Sequence, residues 1–488
     1  MRLGVILTIT LTCGLKACAS SVLAAPLPAL CQVIQHSLSN ASGVFYPSSP
    51  EYVVDLAHWS LTNTAPSTCS VEPGTTEDVS TLMRILASAR APFAVKGGGH
   101  SANPGFSSTT GVQIALKRFT TLSINNSAST VDIGPGLLWA DVYTGLSAQG
   151  LNVVGGRLSQ VGVPGLVLGG GFSWLSNEHG LAVDNVKAFE LVLPNGQIKT
   201  ITQADEDLWF ALRGGLNNFG IVTKITLKTF PSGQVWGGLY IVSANQSTEF
   251  AEVISKLTTV TDPKLAINAA NIYGATGFTP AALIFYDAAS PPAGIFDELF
   301  ALPALVNTVQ TLATFSDFVQ ALVPTEPAPG LRAAYSAAPV LQYSPALLEV
   351  LANETSFWGA HFLSLDANAS VTIVAEPFIS SAFSHGADSA FPPDRSRVIC
   401  PTNLYFSWSK ASLDDEARAA IAQSSRTIRA AAIAEGQDVA NAAMYPNYAL
   451  GNTPLEDMYG KNVPRLKAIR TKYDPKGTML LTGGFKFV

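Results

Sequence analysis

Between residues 96 and 223 glycine gathers in four stretches: "KGGGHS" at 96–101, "DIGPG" at 132–136, "GGRLSQVGVPGLVLGGGFS" at 155–173 and "LRGGLNNFGIVT" at 212–223. Glycine lets backbone N–H groups approach a ligand closely, most often an anion. His100 directly follows three glycines, and an imidazole can bond, relay protons or be alkylated. The loop therefore reads either as a phosphate cradle with a covalent anchor or as a flexible turn. Neither common nucleotide fingerprint fits. A Walker loop ends in Gly-Lys-Ser/Thr, whereas Lys96 precedes its glycines, and "GGGFSW" breaks the G-x-G-x-x-G spacing at Trp174. A phosphate-bearing cofactor would have to lie across several loops.

Around these loops the pattern is mixed. Val79, Leu82, Met83 and Leu86 repeat at helical spacing from Thr75 to Arg90, with Thr75 and Asp78 as entry cap. "PFAV" reads as a short strand, "GVQIAL" as a half-buried strand, and "STVDIG" as a third. The last turns at Pro135-Gly136 into a helix carrying Trp139, Val142, Tyr143 and Leu146, which ends at Gly150. "FELVLPNGQIKTI" is a hairpin with Asn195-Gly196 at its tip. Frequent hairpins favour α+β over a doubly wound parallel sheet. After Phe230 the texture becomes alanine- and proline-rich, and Ser412 with Asp415 suggests a capping box for a helix reaching Ala434. With 488 residues exceeding one core, we expect two domains. These are a first domain over 26–235, an inserted domain over 236–440, and a segment over 441–488 returning to the first.

The N-terminus reads as a signal peptide over 1–25: Arg2, an apolar run, then small residues with cleavage between Ala19 and Ala25. A retained membrane anchor is the rival reading, disfavoured by the shortness of the run. Secretion would give meaning to five Asn-x-Ser/Thr sequons, at Asn40, Asn125, Asn245, Asn353 and Asn368, each expected on an exposed loop. It would also favour one disulfide, with Cys31–Cys69 the preferred pair and Cys400 a buried free thiol. The chain carries 29 Lys and Arg against 35 Asp and Glu, without a basic cluster, which argues against nucleic acid as partner.

Taken in order, "KGGGHS", "VGVPG", "LGGGFSWLSNEHGLAVDNV", "DLWFALRGGLNNFGIVT", "YPNYA" and "YDPKGTMLLTGGFKF" resemble the berberine-bridge-enzyme-like flavoproteins. These belong to the vanillyl-alcohol-oxidase superfamily with a PCMH-type FAD-binding domain, and the likeness is to the secreted fungal branch. It spans nearly all of the chain beyond the leader, most clearly 60–232 and 443–487. The resemblance implies a PCMH-type domain of two α+β subdomains, with an inserted substrate domain whose antiparallel sheet is covered by helices. It also implies FAD, bonded through its 8-methyl carbon to His100, with Gly97, Gly98, Gly99 and Ser101 along the pyrophosphate. Further cofactor contacts would come from Val161, Gly162, Gly165, Gly169, Gly170, Gly171, Asp184, Asn185, Ile221 and Val222. Many relatives add a cysteine bond where this chain has Leu158, so a single covalent anchor is expected. Val161 falls where the family sets oxygen access, and valine there looks permissive.

Hydride removal from a C–H group needs a proton acceptor for the neighbouring O–H or N–H. Tyr445 and Tyr448 could both face one surface if locally helical, or flank Asn447 if extended. The resemblance makes Tyr448 the base, Tyr445 a wall or partner, and Asn447 a bond to flavin or substrate. In the family a carboxylate often assists; Asp388 and Glu376 are the candidates, although surface charge is the favoured reading of each. The chain departs from the family at "AFPPDR" (390–395), where relatives carry "AFPHR". The expectation is a secreted, monomeric oxidase acting on a small molecule and molecular oxygen, without membrane partner or metal. The rivals are an oligosaccharide oxidase and a catalytically silent flavin- or sugar-binding protein.

Overall fold

A computed structural model describes residues 26–322 and 330–488, so the expected leader lies outside the described residues. Three sheets carry the fold. The first, in spatial order, is Gly43–Phe45, Cys69–Glu72, Val112–Ala115 and Phe93–Lys96. Its last three strands are parallel. The expected half-burial of "GVQIAL" is corrected: all four residues of Val112–Ala115 are buried, because the strand lies between two neighbours with the helix Thr76–Ala89 packed nearby. Thr75 caps that helix as read, its Oγ1 accepting from Asp78 N at 3.1 Å.

The second sheet is antiparallel, in the order Leu122–Asn125, Thr130–Ile133, Ile221–Lys228, Val186–Val192 and Ile198–Ile201. Its last pair is the expected hairpin, and Gly196 takes φ +85° at the tip, a left-handed value that glycine adopts without strain.

The third sheet is antiparallel and belongs to the inserted region. Its path runs Ala304–Asn307, Val235–Val242, Gly277–Tyr286, Leu265–Gly274, Ser370–Ala375, Cys400–Trp408 and Arg332–Val340, with Gln310–Leu312 also on Val235–Val242. Period-two alternation divides its faces. Leu404, Phe406 and Trp408 are buried on one side, where Phe362 of the helix Pro345–Leu365 packs on Phe406. Tyr405 points the other way and meets Trp59 of the first domain. The face that meets the first domain is therefore the one turned from that helix.

The capping box at Ser412 does not form. The helix Asp414–Ala434 begins after a short turn that takes in Ser412, and the exposed Asp415 carboxylate accepts from Arg418 one turn along the helix instead. The Cys31–Cys69 disulfide is present and Cys400 is free and buried. All five sequon asparagines are exposed, but Asn353 lies within the helix Pro345–Leu365, Asn245 in a helical turn and Asn125 at a strand end, not all in loops. Among the described residues no helix is long and apolar enough to cross a membrane.

Candidate active site

The strand Phe93–Lys96 hands the chain to Gly97, Gly98 and Gly99, and the glycine stretch 155–173 meets them at close range. A Cβ on Gly162 would fall 2.4 Å from Gly98 N, and one on Gly97 would fall 2.5 Å from Pro164 Cγ. Only glycine permits this approach. Gly99, Gly170 and Gly171 take φ of +73°, +115° and +83°. Gly165 is exposed, and nothing lies within 4 Å of where its Cβ would be. Bare N–H groups beside open space suit a diphosphate, and they matter the more because the one lysine of the loop is spent elsewhere. Lys96 Nζ donates to Val54 O and Asp55 O, and burial brings its pKa down to about 8.

His100 stacks on Trp59, with ring centroids 4.5 Å apart and planes 13° from parallel. Burial lowers its pKa to about 4, leaving a neutral ring with a lone pair available for bonding. Ser101 Oγ accepts from Asn103 N and its carbonyl accepts from Asn63 Nδ2. Val161 is half-buried and its carbonyl accepts from Trp139 N, while Ile221 and Val222 are buried at the start of their strand. Asp184 and Asn185 have other tasks in the described structure. Asp184 accepts from Arg213, Arg395 and Leu181 N, and Asn185 Nδ2 donates to His179 O and Leu181 O.

A turn, not a helix or an extended run, presents the tyrosines: Tyr448 N donates to Tyr445 O at 3.1 Å. Their rings meet edge to face at 4.9 Å. The Tyr445 hydroxyl accepts from Gly171 N, Phe172 N and Asn447 Nδ2, so it clamps the third glycine run. Asn447 Nδ2 also donates to Leu166 O, and Asn447 Oδ1 lies where a Cβ on Gly169 would come to 2.1 Å. Asn447 and Tyr445 thus shape the cradle.

Tyr448 is placed differently. Its hydroxyl donates to Glu376 Oε1 at 3.1 Å, while Arg157 Nη2 donates to Tyr448 Oη at 2.6 Å and to Glu376 Oε2 at 2.8 Å. The reading of Glu376 as surface charge is corrected: it is 3 % exposed, held where the strand Ser370–Ala375 ends. Asp388 is a surface charge as read, paired with Arg465 on the exterior. Burial raises the pKa of both Glu376 and Tyr448, and Arg157 opposes it in each case. Burial disfavours the Arg157 cation in turn, but Glu376 and Tyr448 outweigh it and hold the guanidinium charged.

Sequence reasoning missed Arg157, although it is the one charged residue within the glycine stretch 155–173. It also missed the aromatic wall of Trp59, Tyr335 and Tyr405. Tyr335 lies 6.3 Å from His100 and 6.3 Å from Tyr448, which brings the cradle and the tyrosine to one surface. The departing "AFPPDR" segment lines a separate cavity of about 260 Å³ behind Tyr445, floored by Phe172 and Phe391.

A nucleotide cradle from one domain, faced by a buried tyrosine–carboxylate pair, defines a flavin-dependent oxidoreductase. The sequence matches the FAD binding domain family over residues 67–202 and the family described as berberine and berberine like over 444–478. It is 31% identical over 470 residues to the bifunctional solanapyrone synthase of Alternaria solani, covering 92% of this chain and 88% of that protein. It is likewise 31% identical over 449 residues to the FAD-dependent monooxygenase tpcD of Cochliobolus heterostrophus, covering 86% and 84%. The chain belongs to the berberine-bridge-enzyme-like FAD-dependent oxidoreductases. The fold matches 6-hydroxy-D-nicotine oxidase of Arthrobacter nicotinovorans at TM-score 0.76 with 18% identity, over 94% of this chain and 98% of that one. It matches the carbohydrate oxidase of Microdochium nivale at 0.75 with 20% identity, over 93% and 99%.

Proposed function

We propose that this protein is a secreted oxidase that takes a hydride from a small alcohol, sugar or natural-product ring and passes the electrons to oxygen, with FAD bonded to His100 alone. The observation that carries the chemistry is the Tyr448 hydroxyl, hydrogen-bonded at once to a buried carboxylate and a buried guanidinium. When bound, FAD supplies the hydride acceptor and returns two electrons to oxygen, giving hydrogen peroxide. The chain's own part is the proton. Tyr448 takes it from the substrate O–H as its own proton moves to Glu376, and a carbonyl forms as the C–H hydride departs. A phenol ordinarily titrates near ~10, and the transfer to Glu376 lets it act without prior ionisation.

The neutral His100 ring and the absence of a thiol at Leu158 support a single anchor. The relatives, named as a solanapyrone synthase and FAD-dependent monooxygenases, favour a tailoring reaction on a secondary metabolite. The rival oligosaccharide oxidase draws on the aromatic wall of Trp59, Tyr335 and Tyr405, which would also stack on sugar rings. Peroxide release over a panel of oligosaccharides and aromatic alcohols separates the two. Turnover of sugars alone would reverse the preference, and peroxide from neither class would remove the oxidase reading for these substrates.

A further inference from the structure

Arg157 has a place that neither cofactor binding nor the glycine cradle explains. It sits between Gly156 and Leu158, in a stretch (155–173) whose other residues are uncharged, and it is 9 % exposed. Its guanidinium reaches out of the glycine stretch to the inserted domain, where it bonds Glu376 Oε2 at 2.8 Å and Asn268 Oδ1 at 3.1 Å, and to the C-terminal segment, where it bonds Tyr448 Oη at 2.6 Å. Its carbonyl is held by Trp174 Nε1 at 3.2 Å, so the backbone that aims it is fixed too. One cation thus touches the two oxygen groups that must exchange a proton.

We propose that Arg157 is a positioning residue that keeps the Glu376 carboxylate ionised and aimed at the Tyr448 hydroxyl. The proposal rests on the reading of Tyr448 as the proton acceptor. Burying a carboxylate in a water-poor site drives it to take up a proton unless a cation sits beside it. A protonated Glu376 has no use as an acceptor, because the phenolic proton could not move to it. Arg157 prevents this by direct contact. The fork geometry of the guanidinium also fixes the angle between the two acceptors, which a lysine point charge would do less well. After transfer, Glu376 and Tyr448 are both neutral and the trio carries one positive charge, on Arg157.

Other groups facing the trio do not replace the cation. Tyr445 packs on Tyr448. Tyr343 Oη accepts from Glu376 N at 3.0 Å. Cys400 lies close to Glu376, its pKa pushed by burial up to about 12 and the thiol therefore neutral. Asn403 is an uncharged hydrogen-bond partner of Tyr448.

The test uses FAD-loaded Arg157→Gln, Arg157→Lys, Glu376→Gln and the double variant Arg157→Gln/Glu376→Gln. Infrared difference spectra of the holoenzyme report the carboxylic-acid C=O stretch, assigned to Glu376 by its loss in Glu376→Gln. At neutral pH we expect that band in Arg157→Gln and not in wild type or Arg157→Lys. Anaerobic flavin reduction, with the alcohol or sugar that the peroxide panel returns, should slow ~10²-fold in Arg157→Gln and recover as pH rises. The lysine variant should keep the wild-type pH profile with a smaller loss of rate. Adding Arg157→Gln to Glu376→Gln should change little, since both remove the same ionised acceptor.

A wild-type infrared spectrum and pH profile in Arg157→Gln would overturn the proposal, as would fully multiplicative losses in the double variant. If Arg157→Gln fails to fold, Arg157→Lys decides alone, because a rate as low as that of Glu376→Gln contradicts it. Failure of the underlying reading looks different: Tyr448→Phe would then reduce flavin at the normal rate.

Discussion

At the scale of single residues, His100 and Tyr448 carry separable predictions. His100 is neutral, stacked on Trp59, and preceded by a glycine whose left-handed φ turns it out of the loop. Acid precipitation of the wild type should leave the yellow flavin with the polypeptide. His100→Ala should release it to the supernatant, and a wild type that also released its flavin would contradict covalent attachment. Tyr448→Phe keeps the ring and removes the hydroxyl, so the loss should fall on kcat more than KM. A deficit of ~10²–10⁴-fold in anaerobic flavin reduction is expected. Tyr445→Phe makes a different loss. Its hydroxyl accepts from two buried backbone N–H groups, so the variant should lose stability by roughly 1–3 kcal/mol and hold flavin less well, with a far smaller effect on the reduction step.

Secondary elements show why some of this was legible and some was not. Strands and the Asn195-Gly196 hairpin were readable because alternation and turn chemistry are local. His100 and the tyrosines stood inside compact blocks, and the resemblance gave them roles. Glu376 and Arg157 are 219 residues apart, and nothing near either one announces the other. The strand Ser370–Ala375 had to be placed in its sheet before the residue that follows it could be called buried. The capping box at Ser412 fails for a local reason, because Ser412 is taken into a short turn ahead of the helix and Asp415 pairs with Arg418.

The glycine contact between the two loops offers a prediction of its own. Gly162→Ala sets a methyl against Gly98 N, backbone against backbone, where neither side can yield cheaply. We expect roughly 1–3 kcal/mol of destabilisation and a fall in the ratio of flavin to protein absorbance. Gly165→Ala meets no protein atom within 4 Å, so it should melt as the wild type does. A flavin deficit confined to Gly165→Ala would mark that methyl as pressing on the cofactor.

Across the whole molecule, a few long-range ties hold the cradle and the inserted sheet in register. Asp184 is buried against Arg213 of the first domain and Arg395 of the inserted region. Asp184→Asn removes the only carboxylate in that pairing. It should cost roughly 3–5 kcal/mol, read as a lower melting temperature with flavin bound. Near the N-terminus, Cys31–Cys69 closes a loop with a sequence separation of 38. Replacing both cysteines by serine should lower stability by ~4 kcal/mol in the chain-entropy account, without altering the rate of flavin reduction.

The glycine loop is closed by residues from the far end of the chain. Asn103 Nδ2 donates to Ala449 O across 346 residues, and Tyr448 arrives with the same turn. Ribosomes add ~5–20 residues per second, so His100 emerges roughly 20–70 s before the segment that completes its surroundings. Throughout that interval the nascent chain holds the glycine loops without the Tyr445 and Asn447 contacts that shape them. A polypeptide cut short before that turn carries the glycine loops yet lacks both Tyr448, proposed above as the proton acceptor, and the Tyr445 and Asn447 side chains that bond the 155–173 stretch.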